Sequence, residues 1–459
     1  MNFPYPFYPV QFKKDGTVFQ TSDVDSLLNG VKAPTDLLVM CHGWNNNMDD
    51  AKDLYCALAG LIKVQVDATP ALAGRTYVIC GVLWPSKKFE DKDLIPSGAA
   101  SLNDAVSVDQ LKARVGDLRS LFAGSDWPGA DAAPADLDEI AGLMESVEDD
   151  EGAQERVIDL LRPLLPKDMA STDDASDRFF EMRSKVLLAN LKKPLNPPII
   201  KAGSGAAALD PFSTGAVSGL GGAASYRDSQ GGAKSGILNL LNYATYYLMK
   251  ARAGTVGQKG VAPLLVQLRQ ARPDLRLHMI GHSFGCRMVA AAINALPEGT
   301  VDARPDTVLL LQGAFSHNGF ALEGDETDRG AFRDVIEKKK VRGGILITYT
   351  RNDKAVGLAY PIASRIAGTT AAALGDADDI FGGLGSNGTQ TQQTTPERVM
   401  GTMQGVGQDY PFAKGVKPST PYNLKADEFI KGHSDIRKPE VAYALTVAMA
   451  APAVTAAGM

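Results

Sequence analysis

Reactive side chains are scarce in this chain: five histidines, four cysteines and three tryptophans among 459 residues. The cysteines, Cys41, Cys56, Cys80 and Cys286, stand singly in apolar stretches with no C-x-x-C pair. That excludes a disulfide framework or a thiolate metal site and leaves buried free thiols in a reducing compartment. A basic surface is also missing. Lys and Arg number 47 against 53 Asp and Glu, a net charge of −6, so nucleic acid is not an expected partner. No basic stretch followed by an apolar core and small residues comes after Met1, so no export signal is read and a cytoplasmic location is expected. The uncharged residues 441–459 are rich in alanine and broken by Pro452. A packed last helix with a frayed end is expected there, without stable membrane insertion. What remains, 44% apolar and 22% charged, is the composition of a globular protein.

Apolar runs at 36–41, 76–84, 275–280, 307–313, 344–349 and 422–426 read as strands, most apolar enough to be covered on both faces. Helical spacing marks 48–64, 237–252, 261–270 and 286–296. At the start, 8–12 and 17–19 flank Asp15-Gly16, the signal for an antiparallel hairpin at a sheet edge. Between 86 and 235 the alternation stops: helices are expected near 101–123, 134–147, 152–165 and 174–191, and no strand. Residues 101–190 hold 20 acidic and 9 basic side chains, so this insertion reads as an acidic helical cap. Its Gly-, Ala- and Ser-rich end at 201–235 resembles a hinge or lid margin. The organisation expected is a core in two pieces, 1–85 and 236–459, with the cap or lid at 86–235. A loop is expected from 359 to 420, with low complexity at 388–395.

The richest signal is Gly281-His282-Ser283-Phe284-Gly285, set between an apolar strand and an alanine-rich helix. A G-x-S-x-G corner brings strand and helix backbones nearly into contact, which needs glycine on both sides, and lifts the serine hydroxyl clear of the sheet. Ser283 is therefore the candidate nucleophile, and it needs a base and a group to orient that base. With five histidines the search is short. His42 and His282 sit inside glycine motifs that point their rings away from an attacked carbon, His278 lies within a strand, and His317 is placed to line a pocket. His433, in Gly432-His433-Ser434-Asp435 after the last strand, is the candidate base. Asp353, just past the 344–349 strand, is the candidate acid, with Asp376, Asp378, Asp379 and Asp435 as rivals. The backbone amides of Trp44 and Phe284 are the candidate oxyanion donors. Trp44, His282 and His317 are assigned to substrate binding. The 376–379 aspartates lack the spacing of a calcium loop, and no metal or other cofactor is expected.

The order strand-His42-Gly43-Trp44, insertion, Ser283, Asp353, His433 resembles the α/β-hydrolase superfamily over about 30–85 and 235–455. A bacterial branch of it pairs an HG-aromatic-Asn turn, here ending in Trp44-Asn45, with Trp84-Pro85-Ser86 after the next strand. The resemblance implies a mostly parallel central sheet flanked by helices and a two-step serine hydrolysis. Two features depart from the common pattern: the insertion precedes the nucleophile strand, and 80 residues separate Asp353 from His433. A small-molecule carboxylic ester is the expected substrate, the acidic cap disfavouring anionic ones. A serine peptidase or amidase, a lipase and a non-catalytic interaction module are the alternatives.

Overall fold

The computed structural model describes residues 1–44, 46–86, 106–122, 131–171, 174–193, 232–299, 301–323, 329–353, 381–390 and 395–452, with Val356, Ala363 and Ile366. The strands are β1 (Phe7–Gln11), β2 (Asp36–Cys41), β3 (Tyr77–Leu83), β4 (Arg276–His282), β5 (Thr307–Leu311), β6 (Ile345–Tyr349), β7 (Val399–Thr402) and β8 (Pro421–Lys425). They form one sheet in the order β1-β3-β2-β4-β5-β6-β8-β7. Every neighbouring pair is parallel. The chain runs outward from β2 to β3 and then, after the insertion, outward the other way from β4 to β5. The switch point lies between β2 and β4, where open parallel sheets gather ligands at their carboxyl ends.

Continuous apolar runs make strands that need cover on both faces, and both faces are covered. Side chains alternate along a strand, so Leu277 and Met279 of β4 join one buried cluster and Ile280 joins the other. The Ile280 face is closed by α2 (Met48–Asp67) and, later in the chain than the short α11 (Arg333–Glu337) and α12 (Leu384–Asn387), by α13 (Pro439–Ala450). The Leu277 face is closed by α1 (Thr21–Gly30), α9 (Ala262–Ala271) and α10 (Phe284–Asn294). On the Ile280 face, α2 starts on a reciprocal cap: the Asn47 side chain accepts from the Asp49 and Asp50 N–H groups while the Asp50 carboxylate accepts from the Asn47 N–H.

The insertion is helical, as its composition implies. Among the described residues it contains α3 (Val108–Phe122), α4 (Ala133–Leu143), α5 (Glu151–Leu161), α6 (Ser176–Glu181) and α7 (Ser184–Leu191), and no strand. Its described residues form no core of their own. Leu111, Val115, Leu137, Ile140 and Leu187 belong to the same buried cluster as Leu277 and Met279 of the sheet. The link is α8 (Ala233–Thr255), which packs on α3 and α7 on one side and on α10 on the other. All its residues except Lys234 and Leu238 are buried, the polar Asn239, Asn242, Lys250 and Arg252 among them. A π-helical turn, Val256–Val261, joins it to α9, so the two helices expected at 237–252 and 261–270 are one continuous rod.

Other expectations are corrected. The Asp15-Gly16 turn forms, but residues 17–19 contribute only a single antiparallel bridge, Phe12 to Val18, and β1 instead pairs in parallel with β3. The 359–420 loop contains β7, whose four residues are all exposed and carry no alternation to betray them. The glycine-rich hinge lies, from 201 to 231, outside the described residues.

Candidate active site

Ser283 occupies the corner between β4 and α10 with φ +58° and ψ −122°, a conformation rarely tolerated by a residue with a side chain. The neighbours impose it. A Cβ on Gly285 would stand 2.1 Å from the Cys41 carbonyl oxygen at the end of β2, and one on Gly43 would stand 2.7 Å from Ser283 Cβ. The Ser283 N–H donates to Leu311 O (3.0 Å) and its carbonyl accepts from the Ala314 N–H (3.1 Å), which locks the corner onto β5.

The His42-Gly43-Trp44 turn leaves β2 beside this corner, Cys41 pairing with Gly281. His42 is a buried strut. Its Nδ1–H donates to Gly43 O (2.9 Å), Nε2 accepts from the Trp84 N–H (3.4 Å), and its own N–H donates to Tyr55 Oη (2.8 Å). Burial pulls its imidazole down to about 4. The Asn46 amide donates to the Gly43 and Trp44 carbonyls. The Trp44 N–H donates to no described residue, and that of Phe284 opens a helix, where the helix itself offers no acceptor. The Trp44 and Phe284 rings lie 5.9 Å apart, and Tyr246 of α8 lies 5.2 Å from Phe284.

Asp353 and His433 meet although 80 residues separate them: His433 Nδ1–H donates to Asp353 Oδ2 at 2.9 Å. Asp353 is fully enclosed. Burial pushes its carboxyl up, but the His433 charge and hydrogen bond, the Val356 N–H (3.0 Å) and the Gln312 amide (3.2 Å) outweigh that and hold it below the ordinary range. Gln312, at the end of β5 with φ +50°, is oriented by the Thr348 hydroxyl, which donates to its Oε1 at 2.8 Å. Its Nε2 therefore faces Asp353 and Gly385 O. Sequence reasoning passed over Gln312 and Thr348, whose one signal is polarity at the ends of apolar strands. Asp435 instead pairs with Lys438 at 2.8 Å, and Asp376, Asp378 and Asp379 lie outside the described residues.

No hydrogen bond joins Ser283 Oγ to His433, and neither that hydroxyl nor His433 Nε2 bonds to any described residue. Resting sites are often loose in this way and tighten around substrate.

The two further histidines assigned to substrate are placed elsewhere. His317 is 1% exposed, with Nδ1 accepting from the Asn387 amide (3.2 Å) and its N–H donating to Gly382 O (2.8 Å). It holds the 381–390 segment against the sheet. His282, 7% exposed, turns to the Ile280 face and donates from Nε2 to the carbonyl of His433 at 2.9 Å. His278 is a core residue, bonded to buried Asp36 at 2.9 Å. Cys41, Cys80 and Cys286 are buried free thiols, pushed upward by burial, and Cys56 is half-buried. Among the described residues no cluster of His, Cys, Asp and Glu is able to hold a metal ion, and no helix is long and apolar enough to cross a membrane.

Comparison with known protein families, curated proteins and solved structures gives no match for this chain.

Proposed function

We propose that this chain is a serine hydrolase of the α/β-hydrolase type that cleaves carboxylic esters through an acyl-enzyme on Ser283. The observation that carries the reading is the Asp353–His433 pair, made by two loops at the carboxyl edge of the sheet whose central strand ends in the strained Ser283 corner. The strand order supports the same reading, with nucleophile, acid and base following β4, β6 and β8.

The steps follow from the chemistry of these groups. Ser283 Oγ adds to the ester carbonyl and His433 Nε2 takes its proton, while Asp353 stabilises the imidazolium through Nδ1–H. Charge on the former carbonyl oxygen is met by the Trp44 and Phe284 N–H groups. Collapse of the adduct expels the alcohol, which leaves with the proton from His433. Water then attacks the acyl-enzyme, giving its proton to His433, and the acid is released as that proton returns to Ser283. The reaction needs no cofactor. The insertion, 20 acidic against 9 basic residues over 101–190, favours neutral or cationic esters over anionic ones.

The test is hydrolysis of p-nitrophenyl esters across acyl lengths, beside labelling by a fluorophosphonate probe with peptide mapping. Turnover and label on Ser283 are expected, both lost in Ser283→Ala. Labelling without ester turnover would move the reading to an amidase or a lid-closed enzyme, and the absence of both labelling and turnover would overturn it.

A further inference from the structure

The acid and base loops are tied to each other more firmly than either is tied to the nucleophile. Besides the Asp353–His433 pair, the Asn352 amide donates to Asp427 O and Ile430 O (3.1 and 3.0 Å), the Thr350 hydroxyl donates to Ile430 O (3.3 Å), and the Arg351 N–H donates to Asp427 Oδ1 (3.1 Å). This unit rests on β5 through Gln312. Among the described residues, one hydrogen bond runs from it to the Gly281–Gly285 corner: His282 Nε2–H to His433 O, 2.9 Å, with the two rings 5.0 Å apart.

We infer that His282 is a positioning residue, which pins the main chain of His433 to the nucleophile strand so that the base reaches Ser283 by turning its ring rather than by moving its loop. The inference rests on the hydrolase reading. Alternation along β4 explains the placement, since His282 falls on the Ile280 face, and α13, which follows the His433 loop, covers that face. The chemistry is determinate. A carbonyl only accepts, so Nε2 carries the proton and Nδ1, which has no partner among the described residues, does not. Burial, then the nearness of His433, pulls the His282 imidazole down to about 3, against the opposing effects of the His433 carbonyl and Asp353. The pin thus stays neutral and does not oppose the imidazolium that forms on His433.

Displacing a reacting group by about 1 Å can cost roughly 100-fold in rate. His282→Phe and His282→Met are therefore expected to lower kcat about 10- to 100-fold with KM little changed, and to slow fluorophosphonate labelling of Ser283 in proportion. His282→Gln, whose amide N–H can replace Nε2–H, should recover most of the loss. Steady-state kinetics and labelling rates on variants with unchanged circular dichroism provide the test. Wild-type kcat in the Phe and Met variants overturns the inference. So does a rise in KM at constant kcat, which marks a substrate contact, or a loss in Gln equal to that in Phe. A wild type that neither turns over nor labels overturns the hydrolase reading and this inference together, whereas an active wild type with indifferent variants overturns the inference alone.

Discussion

At the residue scale, the site is built from neutral histidines as much as from charged groups. His42 and His282 are held neutral down to about 4 and about 3, against an ordinary value of 6.5. Below pH 6.5 the unfolded chain therefore binds protons that the folded chain refuses, and stability falls as pH falls. The loss amounts to on the order of 2 kcal/mol per histidine by pH 5. Depressed carboxyls such as Asp353 and Asp36 act in a lower window, losing their contribution only as pH drops through the acidic range. Urea unfolding at pH 7.5 and pH 5 should show the decline, and His42→Gln should reduce it by about half. A flat profile between those pH values would refute this account of the buried rings.

At the element scale, the Ser283 corner depends on close approach of two backbones. Gly285→Ala drives a Cβ into the Cys41 carbonyl, a backbone atom with nowhere to go. It should lower stability by about 2 kcal/mol or more and abolish labelling of Ser283. Gly60→Ala is the contrast: within α2 its Cβ would meet nothing within 4 Å, and a gain of up to about 1 kcal/mol is expected. Thermal melts of the pair decide the point, and equal effects would mean that the corner is not sterically determined. The same physics set how far the sequence could be read. Strands β2 to β6 and β8 were legible because burial on both faces leaves continuous apolar runs, and the corner was legible because its glycines are obligatory. Helix α1, strand β7 and the continuity of α8 into α9 were not. The first has few buried positions, the second is exposed throughout, and the third turns on a π-helical turn that leaves no periodic mark. In the site, His433 was reached by elimination among five histidines and Asp353 by its place just past an apolar strand. The partner of His282, the carbonyl of His433, depends on which face α13 covers, a long-range fact.

At the scale of the whole molecule, the insertion and the sheet share one buried cluster through α8 and so should unfold together. The buried ion pair between Lys250 of α8 and Asp174 of the insertion tests this. Lys250→Met strands a carboxylate in the interior and should cost about 3–5 kcal/mol. Circular dichroism and tryptophan fluorescence should nevertheless report one coincident transition, displaced as a whole. Two separate transitions would show an independently folding cap. The pairing of β2 with β4, between Cys41 and Gly281, has a consequence in time. A ribosome adding about 5–20 residues per second needs tens of seconds to make the intervening stretch of about 240 residues. For all but the first part of that interval β1, β2 and β3 have been synthesised and their central neighbour has not. The newborn chain therefore passes through a long stage with an open sheet edge, and its yield in a cell should depend on whatever shields that edge until β4 arrives.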